Sequence, residues 1–87
     1  MKLRLKGSEA AAGTSSTNGS NVGLATLVRI HNGGGTRRLV SLETSAAALI
    51  GTFTISGGAT ELLDKTSTDE VFAANAEVKL VGIAYYS

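Results

Sequence analysis

Alternation between apolar and polar side chains is the main pattern of this 87-residue chain. Residues 2–6 alternate leucine with basic side chains, which is the period of a half-buried strand. We expect Leu3 and Leu5 to face the core and the strand to lie at a sheet edge, where its lysines prevent mispairing. Residues 7–20 contain no large apolar side chain and cannot offset their ordering entropy by burial. They predict a mobile loop or arm, rich in Gly, Ser and Ala, at residues 7-20.

A first hairpin is predicted around a glycine-rich loop. The segments 24–31 and 37–43 are apolar and β-branched, and residues 32–36 between them have the composition of a hairpin loop. The resulting register places Val28 opposite Val40. The core-facing side chains of this hairpin would be Val28, Ile30, Val40 and Leu42.

A second hairpin is predicted around Gly57-Gly58, two residues that can both take the positive φ of a primed turn. Its strands would be residues 49–55 and 59–65. The register then places Phe53 opposite Leu62, and we expect this pair at the centre of the core.

A polar stretch at residues 65–70 predicts the one helical element of the chain. Ser67 and Glu70 have the spacing of a capping box, which indicates a single helical turn over residues 68–72. The rest of the chain, with both predicted hairpins included, predicts six or seven short strands in total. We therefore expect an all-β fold, a small antiparallel β-sandwich or barrel that forms a single domain over residues 1-87.

The last strand, residues 77–86, is the most apolar segment and carries apolar side chains on both faces. This pattern predicts either a central strand or a strand whose outer face meets another chain. Gly82 is expected to mark a bulge that redirects the end of the strand.

Composition restricts how so short a chain is stabilised. It has no Cys and one His, which excludes disulfides and a zinc cluster. A domain of this size buries too little surface for a large margin of stability, so we expect association with other chains, including copies of itself. Only 17% of the residues are charged, and such a surface suits close packing against neighbours.

Charge and hydropathy bear on the partners and on the location. The net charge of +1 gives no field that would attract nucleic acid or an anionic membrane, so we expect neither as a partner. No apolar run reaches the length of a membrane span, and the first residues lack a signal peptide. We expect the protein to be made in the cytoplasm and kept there until used.

The candidate chemistry is sparse. His31 is the single histidine and has no obvious orienting carboxylate, and the carboxylates are scattered along the chain. Gly33-Gly34-Gly35 lacks the Lys and Ser/Thr of a phosphate-binding loop. We therefore predict no catalytic residue, no cofactor, no metal site and no small-molecule substrate. A protein-contact patch is predicted instead, made of Arg29, His31, Arg37, Arg38, Tyr85 and Tyr86.

Residues 24–86 resemble a group of short virion proteins of marine and cyanobacterial tailed phages. The residues that carry this resemblance are Thr26-Leu27-Val28-Arg29-Ile30, Ile50-Gly51-Thr52-Phe53-Thr54-Ile55 with Gly58, Glu61-Leu62-Leu63-Asp64-Lys65, Thr68-Asp69-Glu70-Val71-Phe72-Ala73 and Ile83-Ala84-Tyr85. The resemblance implies a β-sandwich that decorates or cements a capsid, or that lies in the neck, tail or fibre of the virion.

Several functions follow as expectations. The first is a non-enzymatic capsid decoration or cement protein in the virion, bound to the major capsid protein or to other virion proteins. A neck, tail or fibre component is the alternative within structural proteins. A carbohydrate-binding module is the rival from another class, but 5% aromatic residues and no Trp argue against its usual aromatic platform. An enzyme is the least favoured class.

Overall fold

The computed structural model describes residues 1–86 as two antiparallel sheets that form a two-layer fold. This arrangement confirms the predicted all-β class. Eight strands and one short 3₁₀ turn, Ser16–Asn18, make up the regular structure of these residues. The strands are β1 Lys2–Leu5, β2 Ala10–Ala11, β3 Leu27–Asn32, β4 Arg38–Glu43, β5 Leu49–Ile55, β6 Thr60–Asp64, β7 Glu70–Ala73 and β8 Val78–Tyr86. None of the helical structure in the described part of the chain is long enough to span a membrane.

The first sheet has the order β1–β8–β3–β6, and β2 shares with β1 the same edge of β8. Strand β1 pairs with residues 83–86, and β2 pairs with residues 79–80. The register with β8 shifts by two residues between β1 and β2. Gly7 and Ser8 lie in the segment that takes up this shift. The edge position predicted for β1 and the central position predicted for the last strand are both confirmed.

The second sheet has the order β5–β4–β7. Strands β4 and β5 are joined by a true hairpin whose connection, residues 44–48, is the small-residue segment of the chain. Thr44 Oγ1 accepts a hydrogen bond from the Ala48 N–H at 3.1 Å, and Ala47 takes a positive φ of 66°. A short side chain at this position limits the cost of the left-handed backbone.

The core lies between the two sheets and is made largely of β-branched residues, which pack well on a pleated surface. Fully buried side chains come from both layers, and the predicted burial of Val28, Ile30 and Val40 is confirmed. Leu42 is half-buried. The most completely buried branched side chains of the core are Val28, Ile30, Val40, Ile55, Val71 and Val78.

The first predicted hairpin is wrong. Strand β3 pairs with β6 and β8, whereas β4 pairs with β5 and β7, so the two strands belong to different sheets. Residues 33–37 cross from one layer to the other. Side-chain alternation indicates which face of a strand is buried, and it carries no information on which strand lies next to it.

The second predicted hairpin is also wrong, because β5 belongs to the second sheet and β6 to the first. The Ala59 N–H donates to Ser56 O at 3.0 Å, and within this turn only Gly58 takes a positive φ, at 77°. A primed turn requires positive φ at the first central residue, so this turn lacks the geometry of a tight hairpin. Phe53 lies opposite Val40 and is half-buried, and Leu62 is 49% exposed, so they are not a central core pair.

Three local predictions are also corrected. Residues 70–73 form strand β7 and not a helical turn, and Val71 of this strand is buried. Leu3 and Leu5 are 48% and 66% exposed, so their predicted burial is wrong. The register of β8 with β3 is regular up to Gly82, their last pair, so no bulge occurs between these two strands; the register shift of β8 lies on its other edge, between β1 and β2. A Cβ on Gly82 would lie 2.8 Å from Ala25 Cβ, so this glycine permits a close approach.

The segment 7–20 has a path that the sequence did not predict. The Ala12 N–H donates to Val78 O at 2.8 Å, and the Ala12 side chain is buried in the core. The chain then crosses to the second sheet, where the backbone of Ser20 exchanges two hydrogen bonds with Val71. The mobility predicted for residues 7–20 remains a prediction.

Asn32, at the end of β3, joins the connections between the sheets through five hydrogen bonds. Its backbone N–H and C=O bond to residues 58–59 at 3.0 and 2.9 Å. Its side-chain Nδ2 donates to Thr36 O at 2.7 Å and to Ile55 O at 3.1 Å, and its Oδ1 accepts from the Gly34 N–H at 3.0 Å. The residue is 0% exposed, so these groups have no alternative partner in water.

Replacing Asn32 with leucine, which has a similar volume, should cost about 3 to 5 kcal/mol of unfolding free energy. The substitution leaves Gly34 N–H, Thr36 O and Ile55 O without their partners, and each unpaired buried group costs about 1 to 3 kcal/mol. Urea denaturation measures the loss. The control is Asn18→Leu at an exposed position, which should stay within about 0.5 kcal/mol of the wild type. A loss below about 1 kcal/mol for Asn32→Leu would contradict the structural role of this side chain.

Lys65, at the opposite end of the sandwich, is a buried cation. Its Nζ donates to Thr66 O at 3.1 Å and to Ser67 O at 3.2 Å. Burial lowers the pKa of Lys65 below its ordinary value of 10.5, and the charge of Asp69 opposes this effect. The folded state therefore binds this proton less tightly than the unfolded state does.

The unfolding free energy should consequently rise with pH between the lowered pKa of Lys65 and 10.5, because the unfolded chain binds more protons in that interval. Lys65→Met removes this contribution. The stability of the wild type relative to Lys65→Met should increase as the pH is raised toward 10.5. Urea denaturation of both proteins across this range tests the expectation, and parallel pH profiles would contradict it.

Candidate functional site

The outer face of the first sheet is unusually apolar for a surface that no other layer covers. Opposite residues in adjacent strands share a face, so the pairs Leu3–Tyr85 and Leu5–Ile83 lie together on it. Val81, opposite Arg29, continues the same face. We call this surface the outer apolar face; its apolar residues are Leu3, Leu5, Leu27, Leu62, Val81, Ile83 and Tyr85.

The outer apolar face has a buried floor and exposed sides. Val81 and Ile83 are 4% and 2% exposed, although they point away from the core between the sheets. Leu3, Leu5 and Tyr85, by contrast, are each between two fifths and two thirds exposed. An antiparallel sheet with one solvated face normally carries polar residues there, so the outer apolar face is the candidate contact surface of the residues described.

An open depression of about 610 Å³ lies in this face where the pairing of β1 and β2 with β8 is interrupted. Its apolar lining comes from Leu3, Leu5 and Val81. Its polar lining includes an ion pair between Arg29 Nη1 and Glu9 Oε2 at 3.3 Å, and both side chains are partly exposed. An apolar centre with a polar rim is the usual anatomy of a protein–protein contact.

The predicted contact patch is divided by the structure. Arg29, His31 and Tyr85 all project from the outer side of the first sheet. His31 Nδ1 lies 2.9 Å from Thr60 Oγ1, within hydrogen-bond distance. These three residues therefore border or belong to the outer apolar face.

The other three residues of the predicted patch lie elsewhere. Tyr86 projects to the opposite side of β8, where the Arg4 guanidinium is 6.0 Å from its ring centroid. Arg38 Nε donates to Glu77 Oε2 at 2.5 Å at the crossover end of the second sheet. Arg37 is exposed in the crossover connection. The structure does not bring these side chains together with Arg29, His31 and Tyr85.

Sequence reasoning missed the residues that dominate the surface. The alternation of residues 2–6 predicts Leu3 and Leu5 in the core, and the second predicted hairpin places Leu62 in a central pair. The available signal was the apolar character of both faces of residues 77–86, for which contact with another chain was one of the two interpretations. The central position of β8 is confirmed and its outer face is apolar, whereas contact with another chain stays a prediction.

No group of three His, Cys, Asp or Glu side chains that could hold a metal ion occurs within residues 1–86. Comparison of the chain with family models, with curated proteins and with solved structures found no match.

Replacing both Leu3 and Leu5 with threonine should change the unfolding free energy by less than about 1 kcal/mol, because both side chains are exposed and threonine favours strands. Urea denaturation checks the stability. The fluorescence of an apolar dye, which reports accessible hydrophobic surface, should fall in the double variant. A loss above about 2 kcal/mol would mean that these leucines belong to the core.

Proposed function

We propose that the protein is a non-enzymatic structural component of a tailed-phage particle, and specifically a capsid decoration or cement protein. In this proposal the outer apolar face lies against the major capsid protein on the outer surface of the head. The resemblance of residues 24–86 to short virion proteins supports the assignment to a particle. The outer apolar face supports a binding role and carries the proposal.

The chemistry of the outer apolar face suits a protein partner. Covering Leu3, Leu5 and Tyr85 removes apolar surface from water, which contributes about 25 cal/mol per Å² before the costs of association. The ion pair of Arg29 with Glu9 at the rim gives the partner polar groups to contact. Such a rim contributes more to specificity than to affinity.

A cement role requires only modest affinity for each contact. A particle presents the same surface many times, and contacts between neighbouring copies raise the effective concentration of each. Association between copies of this protein would add to that effect and would also supply stability that a chain of 87 residues can use.

A carbohydrate-binding role has less support from the geometry. Tyr85 and Tyr86 are adjacent on β8 and project to opposite sides of the sheet. They cannot form one platform on which a sugar ring stacks, because a platform needs aromatic rings on the same face. A component of the neck, tail or fibre would use the same outer apolar face. Binding to heads or to detached tails distinguishes this alternative from the capsid role.

The test is co-sedimentation of the purified protein with phage heads that lack it. The wild type should sediment with the heads, and Leu3→Thr/Leu5→Thr should bind at least about 10-fold more weakly, since the loss of central apolar contacts costs 1.4 kcal/mol or more. The control is Leu49→Thr/Ile50→Thr, which replaces two comparably exposed apolar residues of β5 in the second sheet. It should bind like the wild type.

Two results would contradict the proposal. Binding to detached tails and not to heads would favour the neck or tail alternative. Equal head binding by Leu3→Thr/Leu5→Thr and the wild type would show that another surface makes the contact.

A further inference from the structure

Two carboxylates face each other on the outer side of the second sheet. Glu43 of β4 lies directly opposite Glu70 of β7. Their neighbours Leu42 and Val71 face the core, so alternation turns both glutamates away from it. Like charges directly opposite each other in adjacent strands destabilise a sheet. An arrangement of this kind needs a compensating group.

Of the two carboxylates, Glu43 has the greater need of a compensating group, because it is only 1% exposed. Its Oε1 accepts a hydrogen bond from Ser16 Oγ at 2.5 Å, whereas its Oε2 is buried with no hydrogen-bond partner. Neither Glu43 nor Glu70 takes part in an ion pair among the residues described. A buried carboxylate without a counter-charge is costly, so a compensating cation is expected at Oε2.

Gly19 shows where the two carboxylates converge. A Cβ on this residue would lie 2.7 Å from Glu43 Oε2 and 3.1 Å from Glu70 Oε1. Both oxygens therefore border the same small volume beneath residues 14–20. This loop is rich in hydroxyl, amide and carbonyl oxygens, which are the ligands that hard cations prefer.

We propose that Glu43 and Glu70, with oxygens of the loop 14–20, bind a calcium ion that fastens this loop to the second sheet. Ca²⁺ accepts flexible sets of oxygen ligands and tolerates a mixture of carboxylate, neutral and water oxygens. Because only two carboxylates contribute, the affinity belongs to the weak class, with Kd of about 10⁻⁴ to 10⁻³ M. The expectation from sequence was that the chain has no metal site, and the burial of Glu43 is the reason to revise it.

The proposal also links the predicted mobility of residues 7–20 to an ion. Without the cation, repulsion between Glu43 and Glu70 opposes closure of the loop over them. With the cation bound, the loop oxygens gain a common partner. The part of the arm at residues 14–20 should therefore be mobile in chelator and ordered in calcium.

The experiment is thermal denaturation of the chelator-treated full chain in rising CaCl₂ at constant ionic strength. At a concentration about 10-fold above Kd, calcium should raise the folded-to-unfolded ratio about 11-fold, which corresponds to a Tm increase of roughly 6 to 10 °C. Hydrogen exchange should slow at the amides of residues 14–20. Both responses should be lost in Glu70→Gln, which removes one carboxylate at a half-buried position.

The control is Glu61→Gln, a change of the same type at an exposed position on β6 in the other sheet, and it should respond to calcium like the wild type. Glu43→Gln should also lose the response, and if it fails to fold, Glu70→Gln still decides. No calcium effect beyond that of matched NaCl would overturn the proposal. An undiminished effect in Glu70→Gln would also overturn it.

Discussion

The hydrogen bonds of Asn32 hold together the end of the molecule at which the chain passes between its two layers. Three connections meet there, since β3, β5 and β7 all end on that side and continue into the opposite sheet. A two-layer fold leaves backbone groups of such connections between the layers, where water cannot reach them. One amide side chain with two donors and one acceptor satisfies several of them at once. The relative position of the sheets, and hence every surface they present, depends on this set of bonds.

The two outer faces differ in chemistry because only one of them is covered. Residues 14–20 lie over the hydroxyl and carboxylate groups of the second sheet, and Ser16 contacts Glu43 there. The outer apolar face of the first sheet has no such cover within residues 1–86. The molecule is therefore asymmetric across its thickness: residues 14–20 cover the Glu43 end of the second sheet, whereas the outer face of the first sheet leaves leucine and tyrosine side chains exposed.

The sequence indicated burial correctly for β3 and for Val40 of β4, but not for β1 or for Leu62, and it was a poor guide to pairing. Alternation correctly placed Ile30 and Val40 in the core and set the limits of most strands, because the period of a strand is local. It placed β3 against β4 because a glycine-rich connection of five residues serves equally well as a hairpin loop and as a crossover between layers. The partner of a strand is decided by packing at a distance, which the local pattern does not contain.

The same limit applied to the candidate site. The apolar character of both faces of β8 was visible in the sequence, and it left open a contact with another chain. The exposure of Leu5 was not visible, since its strand alternates as a half-buried strand does. Glu43 is the extreme case: alternation turns it outward, yet the loop of residues 14–20, distant in sequence, buries it. The local sequence around a residue does not show whether a distant segment will bury it.

The central position of β8 has a consequence for how the molecule is made. Lys2 pairs with Tyr86, and β8 separates β1 and β2 from β3. During synthesis, β3 and β6 can pair as soon as both have left the ribosome, but the first residues of the chain have no neighbour until residues 78–86 emerge. Contacts between positions so far apart form slowly because the intervening chain must close first. The nascent protein therefore completes its first sheet in a late step, and until then one edge of β3 stays open to pairing with other chains.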